Sequence, residues 1–201
     1  MDITCDAALR ALYPQPSERA LKKQLAAIDV HARRFIELSP FVVLASCNAS
    51  GAVDASPRGG APGFVKVMDP HTLLVPDAPG NSRLDSFRNI VEAGGVGLLF
   101  LIPGFDETLR VNGRATLTQD SALLARCADE RRTPKLVIRV QVAEVYLHCA
   151  KAFMRSRLWD PRSQVPRETL PTIGQMLSDQ TGIQIPFETR EEMCRRYAAD
   201  L

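Results

Sequence analysis

A succession of short β-rich runs between residues 41 and 146 constrains the fold of this chain most strongly. The run Phe41–Cys47 is apolar and β-branched, and the turn sequence NASG separates it from a second extended run. Residues 136–146 alternate Val and Ile with polar residues, as a half-buried strand does. Because short turns join consecutive runs, they favour antiparallel pairing in a closed barrel over a parallel βαβ sheet.

Helices are expected to flank this β-rich region, which makes the fold mainly β with flanking helices. A short helix is expected to begin near Asn81 or Ser82, and Asp120 is expected to cap another. Thr189 and Glu192 have the spacing of a capping box at the start of a helix over residues 189–199. The pattern divides the chain into an N-terminal helical extension (1–40), a β-barrel domain (41–150) and a C-terminal helical segment (151–201).

Charge, hydropathy and cysteine usage exclude several protein classes. The 25 Lys and Arg residues against 23 Asp and Glu leave a net charge of +2, which argues against nucleic acid as a partner. The longest apolar run, residues 94–104, is too short and too rich in glycine to span a bilayer. Five scattered cysteines, with no CxxC pair and no secretory pattern at the N-terminus, favour reduced thiols and a cytoplasmic location.

The sequence carries no motif for hydrolytic or metal chemistry. His31, His71 and His148 have no partner at metal-ligand spacing, and there is no HExxH, no GxSxG, no GxGxxG and no Walker A lysine. We therefore expect no metal site, and no catalytic residue can be assigned. His148 is a candidate acid or base, and a packed or hydrogen-bonded histidine is the alternative.

Two stretches are more informative, and the second has the composition of a phosphate-ester site. One is Ser56-Pro-Arg-Gly59, expected between a strand and a loop. The other is VPDAPGNSRLDS (75–86), where a strand ends and Asn81, Ser82 and Arg83 precede a helix. A helix N-terminus offers free N–H groups, and an arginine adds a fork matched to phosphate oxygens. The alternative is a capped helix with a surface arginine.

Two further groups are ambiguous. Lys151, Arg155 and Trp159 are spaced i, i+4 and i+8, so one helical face would carry two cations and the single tryptophan. That face is either solvated, with the tryptophan as a packing anchor, or a surface on which a planar ligand stacks. On the strand over residues 107–117, three alternating residues point the same way: Arg110, Asn112 and Arg114. They either have a functional role or form an outward polar face.

Taken in order, these stretches resemble the pyridoxamine 5′-phosphate oxidase-like flavoproteins, and a subgroup of FMN-binding proteins within that superfamily in particular. The resemblance covers about residues 30–165. It rests on SPRGGAPGFVKVMD (56–69), TLLVPDAPGNSRLDSFRNI (72–90), GLLFLIPGFDETLRVNGRATL (97–117) and HCAKAFMRSRLWDP (148–161). It implies an antiparallel, Greek-key-like split β-barrel that binds FMN as its cofactor.

The resemblance also implies cofactor-binding positions. Arg58, with Ser56, holds the place of an arginine that faces the flavin phosphate or ring. The backbone of Val75, Pro76 and Asp77 corresponds to a strand end that contacts the isoalloxazine edge. The phosphate itself is expected at Asn81, Ser82 and Arg83.

Members of this superfamily build two FMN sites across a homodimer interface, so the resemblance implies a homodimer. Thr108 and Arg110 are expected near the ring or the second subunit. The C-terminal segment is expected to pack on the barrel and the partner. Three of its residues are expected to reach the partner's flavin: Lys151, Arg155 and Trp159.

The implied function is an FMN-dependent oxidoreductase that moves a hydride or electrons to or from a small-molecule substrate or reductant. Arg58 and Arg110 are candidates for favouring an anionic reduced flavin. The alternatives are a non-catalytic flavin-binding module for storage or sensing, and a split barrel that binds haem or a deazaflavin. The true oxidases end in a Trp and an Arg-Leu-x-Pro-type tail, whereas this chain ends EMCRRYAADL (192–201), so vitamin B6 oxidation is not expected.

Overall fold

The computed structural model describes residues 2–198 and 200, and within them seven strands form one antiparallel sheet. The spatial order is β2-β1-β5-β6-β7-β4-β3, so β4 lies beside β7 rather than beside β5, which is a Greek-key arrangement. The mainly β, antiparallel prediction is confirmed. The strands are β1 (Phe41–Cys47), β2 (Val53–Gly59), β3 (Lys66–Asp69), β4 (Thr72–Pro76), β5 (Gly95–Leu101), β6 (Thr108–Thr118) and β7 (Val137–His148).

The helices flank the sheet, and the side chains of Asp120 and Thr189 cap α5 and α8 as expected. Ala199, which the sequence assigned to the last helix, lies outside the described residues, as do Met1 and Leu201 of the terminal segments. No helix among the described residues is long and apolar enough to cross a bilayer. The helices are α1 (Asp6–Arg10), α2 (Glu18–Lys22), α3 (Val30–Leu38), α4 (Asp85–Glu92), α5 (Ser121–Arg126), α6 (Lys151–Ser156), α7 (Ile173–Thr181) and α8 (Arg190–Tyr197).

One hydrophobic core lies under the inward faces of β1 and β4–β7, and α3 and α4 cover it. Ile36 of α3 and Phe100 of β5 are fully buried there, and Ile90 of α4 is nearly so. The strand β4 is buried on both faces, because Leu73 contributes to this core while Leu74 packs in a smaller cluster under α5. The end of β4 is therefore held rigidly by packing from two sides.

The sheet does not close into a barrel, which corrects the expectation of closure. In the described strands β2 and β3 are the two edges and are not hydrogen-bonded to each other. Pro57 lies in the middle of β2, opposite Val43 of β1. Because proline has no backbone N–H, a strand that contains it is confined to an edge. The strand β2 is therefore a free edge of the sheet.

A bulge interrupts the long pairing of β6 with β7. Asn112 pairs with Glu144 and Gly113 with Val142, which leaves Ala143 as an extra residue on β7. A Cβ atom placed on Gly113 would lie 2.1 Å from the carbonyl oxygen of Gln141. This close approach of two backbones is possible only for glycine.

Both ends of the chain lie outside the core. Residues 2–26 and 150–198 include no buried residue. The N-terminal end is tied to the sheet by a β-bridge between Leu25 and Val145. The C-terminal end is tied by Trp159, whose indole Nε1 donates to the carbonyl oxygen of Phe105 at 2.7 Å. Core packing therefore fixes the middle of the chain, and a few polar contacts fix the ends.

Candidate functional site

A polar cluster joins the inward face of β2 to the start of α4. The strand β2 continues through Gly59 instead of ending near Ser56, because Gly59 still pairs with Phe41 of β1. Alternate residues of β2 therefore share one face. On that face the hydroxyl groups of Ser56 and Ser86 both donate to Asp54 Oδ2, at 2.9 and 2.6 Å.

Arg58 extends this cluster, which we call the β2–α4 cluster (Asp54, Ser56, Arg58 and Ser86). Its guanidinium donates to Ser86 Oγ at 3.1 Å and to the carbonyl oxygen of Pro57 at 2.9 Å. Burial lowers the pKa of Arg58, and the charges of Asp54 and Asp77 act in the opposite direction. The interaction with Asp77 places the end of β4 near β2. A half-buried cation whose hydrogen bonds go to neutral acceptors is stabilised by a bound anion.

The loop before α4 differs from the expected helix start. The helix begins at Asp85 rather than near Asn81, because Ser82 and Leu84 have left-handed backbone conformations with φ of 59° and 63°. Leu84 occupies the N-cap position and provides no capping side chain. The first-turn N–H groups of α4 therefore lack the partner that a Ser, Asp or Asn cap would supply. Arg83 lies in this loop, next to the uncapped start of α4.

Around this helix end carboxylates outnumber guanidiniums by one. Arg83 Nε donates to Asp85 Oδ2 at 2.8 Å, and this contact raises the pKa of Arg83. Asp54 also acts on the Arg83 charge. Two guanidiniums thus face three carboxylates, those of Asp54, Asp77 and Asp85. An incoming anion has to displace Asp85 from Arg83, and such an exposed ion pair is easily exchanged.

The end of β4 offers an open backbone edge. Val75 and Pro76 pair with β7, whereas the pairing with β3 stops at Leu74. The Val75 side chain is fully buried, so that residue can present only its backbone. The N–H group of Asp77 donates to the carbonyl oxygen of Leu136 at 3.1 Å. The backbone edge on the β3 side of Val75 and Pro76 remains without a strand partner.

Thr108 and Arg110 lie on the opposite face of the sheet from Arg58. The pairing register from β2 through β1 and β5 to β6 places Arg58 on the same inward face as Leu109. Thr108 and Arg110, which flank Leu109 in β6, therefore point outward. Thr108 is buried, and Arg110 forms an ion pair with Glu144. One chain therefore does not bring these two residues to the β2–α4 cluster.

The guanidinium of Arg110 also lies over the ring of Tyr146, 4.0 Å from its centroid. Lys23 lies over the same ring at 4.8 Å, and its ammonium donates to the carbonyl oxygen of Leu147. The ring of His148 contacts Tyr146 at a centroid distance of 4.7 Å. Partial burial, and then the charges of Arg110 and Lys23, lower the pKa of His148. The neutral imidazole is therefore favoured in the folded chain.

We expect His148 to titrate below the usual histidine pKa of 6.5, and stability to fall as pH falls through that value. The unfolded chain takes up the proton first, so acid favours unfolding. Replacing Lys23→Gln is expected to raise the His148 pKa by removing one repelling charge. Imidazole NMR shifts measured against pH test this, with Lys22→Gln as the matched control. A His148 pKa unmoved by Lys23→Gln would contradict the account.

The C-terminal trio does not form one helical face. The helix α6 ends at Ser156, because Arg157 adopts a left-handed conformation with φ of 52°. Trp159 therefore lies beyond the helix and stacks on Phe153 with a centroid distance of 5.7 Å. This contact supports the packing-anchor interpretation of the tryptophan. Lys151 and Arg155 are exposed on α6 and lie outside the β2–α4 cluster.

Neither of two depressions on the protein surface includes a residue that was predicted to bind the cofactor. One, of about 430 Å³, lies between α3, β3 and α5, and the other, of about 510 Å³, lies on the outer face of the sheet. In a single chain the β2–α4 cluster is partly exposed: Asp54, Ser56 and Arg58 are half-buried, and Ser86 is buried. Sequence reasoning missed Asp54 and Ser86, although the i, i+2 spacing of Asp54 with Ser56 and Arg58 was a usable signal.

The chain is similar to known proteins both by family and by structure. The family model described as pyridoxamine 5′-phosphate oxidase matches residues 28–149, which is more than half of the chain. No curated protein matches the sequence closely enough to count as a relative.

Three solved structures illustrate the structural likeness. A HupZ variant from Group A Streptococcus has a TM-score of 0.50 at 16% identity, covering 60% of this chain and 99% of its own. An FMN-binding protein from Syntrophomonas wolfei has a TM-score of 0.47 at 14% identity, and the match covers 59% of this chain and 84% of that protein. General Stress Protein 26 from Bacillus anthracis has a TM-score of 0.42 at 15% identity, and the match covers 59% of this chain and 94% of that protein. At these identities the HupZ match supports a shared fold alone.

Proposed function

Because the chain belongs to the pyridoxamine 5′-phosphate oxidase family, we propose that it is a flavoprotein that binds FMN beside the β2–α4 cluster. The observation that carries this proposal is that two arginines from separate stretches bind the first residues of α4, Arg58 at Ser86 and Arg83 at Asp85, where the helix has no capping side chain. A phosphate monoester is the anion that such a helix end, with an arginine fork, binds well.

Each part of the site has a role in this proposal. Arg83, with Asn81, Ser82 and the first-turn N–H groups of α4, would hold the phosphate. Arg58 would place a positive charge close to the cofactor. The open backbone edge at Val75 and Pro76 would contact the ring system. Val75 is well suited to this role, because its buried side chain fixes the position of the backbone.

We further propose that the protein is an oxidoreductase acting on a small molecule. When bound, FMN supplies the hydride and electron chemistry, and the protein supplies binding, orientation and charge. Purified protein is expected to be yellow, or to retain added FMN through a desalting column. Anaerobic addition of NADH or NADPH then separates the alternatives. Bleaching supports a reductase, whereas an unbleached flavin with every reductant tried supports a non-catalytic module. A haem or deazaflavin spectrum in the purified protein would contradict FMN.

A homodimer is the proposed working unit. The candidate site is partly exposed in one chain, and α7 and the segment after it expose Ile173, Leu177, Ile185 and Phe187. Apolar side chains of this size are better buried against another chain. Light scattering on the eluting protein is expected to give twice the chain mass of 22.1 kDa. A mass of one chain at micromolar concentration would contradict the dimer.

The proposed setting is the reducing cytoplasm. Cys5, Cys47, Cys127, Cys149 and Cys194 are all free, and none forms a disulfide. Free thiols persist where glutathione and thioredoxin keep them reduced. Fractionation of the native host, with the protein followed by antibody, tests this location.

Asp85 is expected to compete with the phosphate for Arg83. Replacing Asp85→Asn removes the competing carboxylate and one like charge, so FMN should bind about twofold to fivefold more tightly, the scale of an exposed ion pair. Calorimetric titration with FMN measures this change. The matched control is Glu92→Gln at the other end of α4, which should leave the affinity unchanged. Weaker binding to the Asp85→Asn variant would show that the phosphate lies elsewhere.

A further inference from the structure

The depression of about 510 Å³ on the outer face of the sheet is separate from the β2–α4 cluster. Three adjacent strands, β4, β7 and β6, form its floor. The floor residues make two rows of cross-strand neighbours, Thr72–Gln141–Arg114 and Leu74–Arg139–Thr116. Neighbouring strands are about 4.8 Å apart and alternate residues about 6.8 Å apart, so the floor measures about 10 by 7 Å.

The walls make one side of this outer-face pocket apolar. Met68 of β3 and Leu123 of α5 rise beside the fully buried Leu74. The opposite side carries the guanidinium, amide and hydroxyl groups of the two rows. Concave sites that pair an apolar wall with a few polar groups are typical of small-molecule binding. The dimensions suit a flat body of about two fused rings.

Two cations in the pocket have no carboxylate partner in the part of the chain that the structure describes. Arg139 has no hydrogen-bonding or ion-pairing partner among the described residues. Arg114 donates from Nη2 to the carbonyl oxygen of Ala93 at 2.8 Å and is in no ion pair within the described chain. The two residues are diagonal neighbours on β6 and β7. The Arg114 guanidinium lies towards β5 and is held there by a neutral carbonyl, so it has to turn from Ala93 towards β7 to share an anion with Arg139. A carboxylate accepts such paired arginines in a fixed geometry.

Asp69 limits what else the ligand can carry. Its carboxylate accepts the His71 N–H group at 2.7 Å and a hydrogen bond from Thr72, and these contacts lower its pKa. Asp69 therefore stays ionised at the β3 side of the pocket. A ligand with one anionic group at the arginines is favoured there, and a second anionic group would be repelled.

We propose that this outer-face pocket binds a monocarboxylate with a flat apolar body, at a site separate from the proposed flavin site. The carboxylate lies between Arg114 and Arg139, and the apolar body lies against Met68 and Leu123, which cover the buried Leu74. This binding depends on the outer face of the sheet and does not require FMN.

The test is an NMR titration of the full chain with 2-naphthoate. Saturable shifts are expected at Arg114, Thr116, Arg139 and Gln141. Arg139→Gln and Arg114→Gln should each weaken binding roughly tenfold or more, the scale of a lost charge-assisted hydrogen bond. The matched control is Arg19→Gln on α2, which should bind as the unmodified chain does. The neutral analogue 2-naphthamide should not saturate the pocket.

Three outcomes would overturn the proposal. Equal affinity in the arginine variants would show that these cations hold no ligand. Inorganic phosphate binding as tightly as 2-naphthoate would show that the apolar wall contributes nothing. Displacement of 2-naphthoate by FMN would assign the shifts to the flavin site, whereas failure of FMN to bind leaves this proposal standing.

Discussion

Replacing Gly113→Ala is expected to lower the free energy of unfolding by about 2 to 3 kcal/mol, the upper range for overpacking a well-packed site. The added Cβ would lie 2.1 Å from the carbonyl oxygen of Gln141, so the clash is with backbone. It can be relieved only by moving β7 away from β6 at the bulge. That movement would disturb the longest strand pairing of the sheet. Urea unfolding of both proteins, fitted with one common m-value, measures the loss of unfolding free energy from the shift in midpoint.

Gly95→Ala is the matched control for this experiment. Gly95 opens the neighbouring strand β5, and a Cβ there meets nothing within 4 Å. Its replacement should be neutral or slightly stabilising, because alanine reduces the entropy of the unfolded chain. Equal losses in the two variants would mean that glycine matters here for flexibility rather than for close backbone approach.

Replacing Arg83→Ala is expected to weaken FMN binding roughly tenfold to hundredfold, the range for hydrogen bonds to a charged group. Arg83 is exposed on the loop before α4, so its removal should not disturb the core. The loss should therefore appear in the affinity for FMN and not in the unfolding midpoint. Isothermal titration of the apo-protein with FMN measures the affinity directly.

Arg88→Ala separates a specific role of Arg83 from a general loss of positive charge. Arg88 lies on α4, the helix that follows the loop carrying Arg83, and is also exposed. Its replacement removes the same charge a short distance from the helix start, so affinity should change little. A similar loss in both variants would indicate long-range attraction, and no loss in either would place the phosphate away from this loop.

Much of the strand pattern could be predicted from the sequence. The bounds of β1 were predicted correctly, because its apolar run ends at a strong turn signal. The prediction of a closed barrel was wrong, although the sequence contains Pro57, which restricts β2 to an edge. The sheet order depends on long-range pairing of β1 with β5 and of β4 with β7, which local patterns do not encode.

The candidate site was also predictable only in part. Residue type and spacing pointed to Arg58 and Arg83, and the structure places both near Asp54. The helix start was displaced because left-handed conformations at Ser82 and Leu84 are unusual for such residues. The outward face of Arg110 follows from the register of four strands, which a single-strand pattern cannot supply.

The most direct measurement of the central proposal is a titration of FMN with apo-protein, followed by flavin fluorescence. The proposal predicts saturable quenching with one FMN for each chain, because each chain carries one β2–α4 cluster. Fluorescence that stays unchanged up to a large excess of protein would contradict it.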